Sequence, residues 1–485
     1  MNKLTALAII LCGLPTILFS QNGHFWTQQY GTRSMLLSGS VIGGVEDLGA
    51  VYYNPARLGL IENPAFLISA DVYQWNTLKM ENALGDNNSL SSSEFDGVPS
   101  LAAGTFKVGF MPKDHFAYAV LSRQRNDLSF NYREQIEGDV IEAWPGEEIF
   151  EGEINLVAKA KEEWFGGSWS RPLNNRFSLG MSGFFTINNQ KKGNTIRLRA
   201  LEDNGNVATY TYSRDYSLKS YGLIFKLAAA YQAKNLDLGL TITTPSLQLR
   251  GNANYNYQYY FSGIEGVSSM PDSYANSYQN GLDLTHKSPL SIGVGSTFHL
   301  GKSSIHFSAE YFHKIPEYTV FQAADHTMQS NPDSIISFLV VDEFQSIINA
   351  GLGLEWFFSE KVSAYASACT DLSAVKGSPT AFTENKPKTN NSTIAADNYN
   401  YGGGVVLTFK GADITLGATH TGSKSDFARP ISFPDDGSGD DSEIFDPEKT
   451  GTLKWSRWTF VFSFSVPFLK EYAEEKLEKI GNKNK

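Results

Sequence analysis

The side chains with the most capacity for chemistry are few and poorly grouped. Eight histidines occur in 485 residues. Three of them, His299, His306 and His313, fall on neighbouring apolar segments at a spacing of seven, which carries no meaning for a single strand. They read as scattered surface or lumen residues. The chain has no His-Glu-x-x-His, no Cys-x-x-Cys and no Gly-x-Ser-x-Gly elbow, so neither metal hydrolysis nor nucleophilic catalysis has its residues, and no enzyme activity is expected. The carboxylates Asp435, Asp436, Asp440, Asp441, Glu443 and Asp446 are hard oxygen ligands of the kind calcium takes, but they lack the spacing of a calcium loop and read as a solvated outer loop. Gly402-Gly403-Gly404 is followed by neither a helix nor a Lys. It reads as a bend or tight contact within a strand, not a phosphate cradle. No metal site, cofactor or catalytic residue is expected.

The elements that would position any site are better defined. Lys3 precedes an apolar run, Leu4 to Ile10 and on through Leu18 and Phe19, that stops at Ser20-Gln21. This pattern is a secretory signal peptide over residues 1–20, with the mature chain beginning near Gln21. A lipoprotein reading would use Cys12, but Leu11 stands where a small residue is wanted. Removal of the signal leaves Cys369 as the one cysteine of two, so no internal disulfide can brace the exported chain. Loss of Lys3 leaves 39 basic against 51 acidic residues, or −12, which argues against nucleic acid as a partner. No later stretch reaches 18 apolar residues, so helical membrane spans are not expected.

What recurs instead is alternation with a period of two, in segments of about ten residues, the length a tilted strand needs to cross a bilayer. Trp458, Phe460, Phe462, Phe464, Val466 and Phe468 share one face, with Thr459, Ser463 and Ser465 between them. Tyr221, Leu223, Phe225, Leu227, Ala229 and Tyr231 form another face with Tyr at both ends, where an aromatic girdle would meet the two interfaces. Similar faces run through 177–188, 236–243, 290–300, 305–311, 348–358 and 413–419. Weaker candidates lie at 65–75, 100–111, 114–123, 126–137, 151–162, 194–201, 207–213, 361–369 and 399–409. The reading is all-β: a transmembrane antiparallel β-barrel of about 14 strands spanning 65–468. Short links such as Ala233-Lys234-Asn235 would be periplasmic turns, and 251–287, 315–345, 371–398 and 422–454 would be long polar extracellular loops. A secreted two-sheet protein would alternate in the same way, but its apolar face would not gather Tyr, Trp and Phe toward the strand ends. Residues 469–485 read as a charged periplasmic tail, with Glu471, Glu474, Glu475, Lys476, Glu478 and Lys479.

Before the first strand, residues 21–64 are not strand-like. They contain Gly39-Ser40-Val41-Ile42-Gly43-Gly44-Val45-Glu46-Asp47-Leu48-Gly49-Ala50-Val51-Tyr52-Tyr53-Asn54-Pro55-Ala56-Arg57-Leu58-Gly59-Leu60. An Asn side chain can bond nearby backbone, and Pro55 fixes one dihedral and biases Asn54 away from helix, so Asn54, Pro55 and Ala56 would make a rigid, compact turn. This segment resembles the N-terminal hatch of the FadL family of outer-membrane long-chain fatty acid transporters, in which small residues and an acidic pair lead to an aromatic and then Asn-Pro-Ala. Arg57 departs from the resemblance, because the family commonly has Gly there. Gly239 to Pro245 resembles a family strand that ends before a loop, and Ser288 to Gly295 resembles the start of a later one.

The resemblance implies a hatch that plugs the barrel lumen and shifts to open a path. It implies passive uptake of long-chain fatty acids or other small hydrophobic molecules across the outer membrane. Phe184 and Phe357 interrupt polar faces and are candidate lumen-lining residues, although a one-residue slip would exchange the faces. The partners expected are a hydrophobic small-molecule ligand and outer-membrane lipid, with no nucleic acid. The alternative is a related barrel that binds secretion-system proteins as a shuttle or scaffold.

Overall fold

The computed structural model describes residues 23–61, 67–69, 71–83, 89–97, 100–141, 144–264, 271–376, 387–392, 396–409, 412–429 and 450–465. The expected signal peptide, the tail at 469–485 and the acidic run at 435–446 lie outside the described residues.

Eighteen extended runs form one sheet, and four of them continue the preceding run of the chain after a short break, which leaves fourteen strands among the described residues. Strand β1 comprises Leu67–Ser69 and Asp71–Glu81, and β2 comprises Leu90–Gly97 and Leu101–Phe106. Leu67 faces Ala103 and Tyr73 faces Gly97, so the register is the same on both sides of residue 70. Next come β3 (His115–Gly138), β4 (Glu148–Pro172), β5 (Phe177–Glu202) and β6 (Val207–Gln232). Strand β7 comprises Leu236–Thr243 and Leu247–Ser262, and β8 comprises Ser273–Asp283 and Ser291–Leu300. The rest are β9 (Ser303–Phe312), β10 (Ile347–Ser359), β11 (Val362–Asp371), β12 (Asn398–Phe409), β13 (Ala412–Ala428) and β14 (Thr450–Ser465). Each pairs antiparallel with its neighbours in the chain, and β14 pairs with β1 from Asp71 opposite Phe462 to Glu81 opposite Thr452. The pairing thus returns to its start, and the sheet has no free edge to protect.

The two faces of this wall differ as the alternation predicts. Tyr118, Phe165, Met181, Phe185, Leu240, Val294, Phe307, Leu352, Leu416 and Phe460 are exposed, and Leu227 at 47% and Trp458 at 44% are typical. A soluble two-sheet protein would bury these side chains; here they form an outward apolar belt, which is the surface of a barrel in lipid. Links of two to eight residues (107–114, 173–176, 233–235, 301–302, 360–361) lie at one end of the wall and long ones at the other, so the short-turn end is periplasmic.

Strands β3 to β6 have 24 to 26 residues, more than twice what the belt needs, and stand well above it. Several short candidate segments are therefore parts of single strands. Segments 114–123 and 126–137 join across a register shift at Gln124/Asn126 in β3. Segments 177–188 and 194–201 are both β5, and 207–213 and 221–231 are both β6. The same height corrects the outer loops. Residues 251–262 and 273–283 are strands in register with each other, not loop. Residues 315–345 fold into a cap, where Ile315–Gln322 pairs with Leu339–Phe344 and the latter runs parallel to Lys388–Asn390. The reason is compositional: Val320, Phe321, Phe338, Val340 and Val341 are buried apolar residues that a solvated loop would not carry.

Nor does the chain leave the wall at Pro245. Strand β7 breaks there and resumes at Leu247, and β8 breaks at the same level around Pro289. Proline has no N–H for the ladder. The Ser246 and Ser288 side chains patch the gap reciprocally, each Oγ accepting from the other's backbone N–H at 2.8 and 3.2 Å.

Candidate functional site

Residues 23–61 lie against the inward face of the wall as two short helices, α1 (Thr32–Leu36) and α2 (Ala50–Tyr53), and a tight 3-10 turn, Pro55–Gly59. Helix α1 packs against β11 to β14, and the turn packs against β4, β5 and β6. The wall makes room with glycine. A Cβ on Gly239 would stand 2.0 Å from the Ile42 carbonyl oxygen, one on Gly295 2.6 Å from the Gly43 nitrogen, and one on Gly180 2.4 Å from the Ala56 nitrogen. On the other side, a Cβ on Gly404 or Gly417 would meet the Leu36 side chain at 2.7 or 2.4 Å. The Gly402–Gly404 run is therefore a close contact with residues 23–61, the inward segment termed the hatch for its place in the lumen, as its lack of phosphate-loop context suggests.

The Asn-Pro-Ala turn fixes the hatch to this socket. Asn54 is extended and fully buried. Its Oδ1 accepts from the Ala56 N–H at 3.1 Å, which caps the turn, and its Nδ2 donates to the Ile42 carbonyl at 2.8 Å and the Ala229 carbonyl of β6 at 3.4 Å. Ser170 Oγ of β4 donates to the Ala56 carbonyl at 3.0 Å. Pro55 sits at the first position of the turn, where its missing N–H costs nothing.

Charge adds further ties. Arg57 is buried, its Nη1 3.3 Å from Asp237 Oδ2 on β7, and its Nε donates to the Val45 carbonyl at 3.3 Å. His299 Nε2 lies 3.2 Å from the same Asp237 oxygen. Arg33 reaches Glu355 of β10 at 2.6 Å, and Tyr365 donates to that carboxylate at 3.1 Å. His306 is buried beside them, 3.8 Å from Glu355. At the N-terminal side, Asp371 Oδ1 accepts from the backbone N–H groups of Phe25 and Trp26, and Glu310 accepts from the Trp26 indole at 2.8 Å. Two of the three spaced histidines are thus lumen residues that touch the hatch's anchoring carboxylates.

Above the hatch the lumen is aromatic and then apolar. Tyr52 meets Tyr30 and Trp164 at a tilt and Tyr53 edge-on, and Trp164 meets Phe184 at 5.3 Å. Two cations face this group. The Arg123 guanidinium lies 5.0 Å from the Trp164 ring, and the Lys226 ammonium lies 4.8 Å from the Tyr52 ring. Higher still, Phe130, Ile154, Leu156, Ile196, Leu198, Tyr212 and Tyr255 line one continuous apolar cluster with the cap residues Phe321 and Phe338. Below the hatch, a cleft of about 770 Å³ opens at the periplasmic end, bounded by Glu46, Arg57, Lys113, His115 and Gln232 among others. Between the two levels, a space of about 20 Å³ beside Tyr52, Tyr53, Lys226 and Glu310 is large enough for a water and not for a ligand.

Of the residues singled out in the sequence, Asn54, Pro55 and Ala56 sit together in the socket. Phe184 points inward onto the aromatic group. Phe357 has the inward register but stands at the periplasmic rim beside the Lys302 ammonium, 4.7 Å from its ring. The structure does not bring Phe184 and Phe357 together at one level. Arg33, Asp237, Glu310, Glu355 and Asp371 escaped the sequence reading, although for Asp237, Glu310 and Glu355 a charge on the small-residue face of an otherwise apolar segment was a usable signal.

No family model matches the chain, and no curated protein matches it. Solved structures of similar fold include a FadL homologue of Pseudomonas aeruginosa, with 9% identity over 92% of this chain and 99% of that one and a TM-score of 0.45. The toluene transporter TodX of Pseudomonas putida is 11% identical over 91% of this chain and 99% of its own, at a TM-score of 0.49. The CymD monoaromatic hydrocarbon channel is 9% identical over 90% and 97%, at 0.47. With a wall that closes on itself, an outward apolar belt and an Asn-Pro-Ala turn seated in a glycine socket, the chain is an outer-membrane β-barrel that resembles the FadL family.

Proposed function

We propose that this barrel is a passive uptake channel for small hydrophobic molecules, with long-chain fatty acids among its cargo. The apolar lining above the hatch carries this reading. The lumen of a water-filled porin is polar, whereas Ile154, Leu156, Ile196 and Leu198 turn inward from the tall strands and pack with Phe321 and Phe338 of the cap. Such a lining suits a ligand that leaves water on entering.

Arg123 and Lys226 beside the Tyr52, Trp164 and Phe184 rings supply positive charge at the foot of that apolar column, which suits an acid head on an apolar tail. Phe184 is the lining residue of this proposal, and Phe357 belongs to the rim. Because the space at Tyr52 and Lys226 is small, passage requires residues 23–61 to shift within their socket.

The test is uptake of labelled oleate and of an uncharged aromatic hydrocarbon by cells with and without the gene. Deletion should lower uptake of at least one solute, and Arg123→Leu with Lys226→Leu should lower oleate uptake more than hydrocarbon uptake. Unchanged uptake of both solutes on deletion, with secretion proteins recovered on the purified barrel, would overturn the proposal in favour of a shuttle or scaffold.

A further inference from the structure

Just above the outward belt, on its extracellular side, the wall carries exposed lysines in opposing register on two separate sectors. On β1, β14 and β13, Lys79 faces Lys454 and Lys454 faces Lys424, so three ammonium groups stand in one row. This row lies four residues above Trp75 and Trp458, the aromatic pair that faces lipid at that place. On β4 and β5, Lys159 faces Lys191, and in the row beneath, Asn189 lies between Lys161 and Lys219. These two rows begin two residues above Tyr221, the outermost aromatic of the belt on β6. At 3.3 Å per residue, both groups stand roughly 7 to 13 Å above the last lipid-facing ring.

Like charges opposite one another on adjacent strands are unfavourable unless an anion lies between them. The protein's own carboxylates supply part of that charge. Glu81 pairs with both Lys79 and Lys454, Asp127 with Lys159, and Glu163 with Lys161. Lys219 lies over the Tyr221 ring at 5.4 Å. Asp426 and Asp215, one or two rows higher, accept from Thr452 and Asn256. Asp426 shares the Thr452 row with Glu81, and Asp215 stands one row above Lys191, so over these rows seven lysines meet five carboxylates. The local excess of positive charge stands out in a chain whose formal charge is −11.

The depth selects the anion. Side chains immediately outside the aromatic girdle lie among lipid head groups, where cations attract anionic lipid. We propose that the two lysine groups bind the phosphates of a phosphorylated glycolipid in the outer leaflet, and so hold lipid against those two sectors of the wall. This inference needs the barrel's position in the membrane and is independent of its cargo.

The experiment is native mass spectrometry of the full chain in detergent micelles doped with bisphosphorylated lipid A, or with the same lipid stripped of its phosphates. The protein should retain the first and not the second, and Lys159→Gln with Lys191→Gln, or Lys424→Gln with Lys454→Gln, should lower retention by roughly tenfold. Lys302→Gln at the periplasmic rim should leave retention unchanged. Lys159→Arg with Lys191→Arg, which keeps the charge, should preserve retention and thereby separates loss of binding from loss of folding. Equal retention of both lipids, no loss in either glutamine variant, or displacement of the lipid by inorganic phosphate at equal concentration would overturn the proposal.

Discussion

Arg57 of the hatch and Asp237 of the wall lie 3.3 Å apart with both side chains almost wholly shielded from solvent. A buried pair of this kind costs desolvation on both sides, so its net contribution is small, but leaving one partner alone is expensive. His299 shares the same carboxylate oxygen from the wall side. The pair thus fixes where the hatch sits at little net gain in stability.

Arg57→Met leaves the buried Asp237 carboxylate without its guanidinium partner and should loosen the hatch by about 3 kcal/mol. Limited proteolysis within residues 23–61 should accelerate while the heat-modifiable band of the folded barrel persists. The double change Arg57→Met with Asp237→Leu should recover much of the protection, because neither charge is then left buried. A double variant no better than the single one would show that the Arg57 stem, not the ion pair, holds the turn.

Asn54 makes a second, separable tie. Asn54→Ala removes the Oδ1 cap on Ala56 and the Nδ2 bonds to Ile42 and Ala229, and should destabilise the hatch by about 2 to 3 kcal/mol. Asn54→Asp keeps the acceptor and loses the donor. If the Nδ2 bonds to Ile42 and Ala229 matter more than the cap on Ala56, hydrogen exchange at Ala56 should rise nearly as much in the aspartate variant as in the alanine variant.

Much of this architecture is legible in the sequence, because a membrane wall imposes a strict period. The faces at Tyr221 to Tyr231 and Trp458 to Phe462 point outward as the alternation requires, and the wall has fourteen strands among the described residues where about 14 were expected. What alternation does not encode is height. Above the belt both faces of β3 to β6 become mixed, since the outside meets water and the inside meets the cap. One strand then reads as two short segments, as at 177–188 and 194–201. The Asn-Pro-Ala turn was visible because its geometry is local. The anchors Arg33 to Glu355 and Phe25 to Asp371 join residues more than 300 positions apart, so a charge on a small-residue face can be seen locally but its partner cannot. Pro245 read as a strand end through the family resemblance alone; that the strand resumes beyond it, with a partner break at Pro289, becomes apparent only once β7 and β8 are side by side.

The glycine socket predicts a gain of function. Gly239→Ala places a methyl carbon 2.0 Å from the Ile42 carbonyl and 2.6 Å from the Asn54 amide. Overpacking of this kind costs about 2 kcal/mol or more, and here the cost falls on the hatch because the strand itself tolerates alanine. The variant should fold as a barrel, yet show faster uptake or higher single-channel conductance than the parent. Unchanged conductance with unchanged protection of residues 23–61 would mean that the wall, and not the hatch, gives way.

The cap carries a pH dependence of defined sign. Lys192, on β5 above the belt, is buried beneath the cap, where loss of hydration drives its pKa down to about 7 while the Asp342 carboxylate opposes the shift. Asn391 links the cap to the wall, donating to Gln190 at 3.1 Å and to Asp342 at 3.2 Å. When the cap lifts, the amine regains water and its ordinary pKa of 10.5. Between about pH 7 and 10.5 the lifted form therefore holds the extra proton, so the closed cap gains stability as pH rises through that window and is weakest below it. Hydrogen exchange at Phe338 and Val340, corrected for the intrinsic rate, should report stronger protection at pH 9 than at pH 6.5. Lys192→Met should raise protection at pH 6.5 and flatten the profile, whereas a profile unchanged by that substitution would assign the pH dependence to another group.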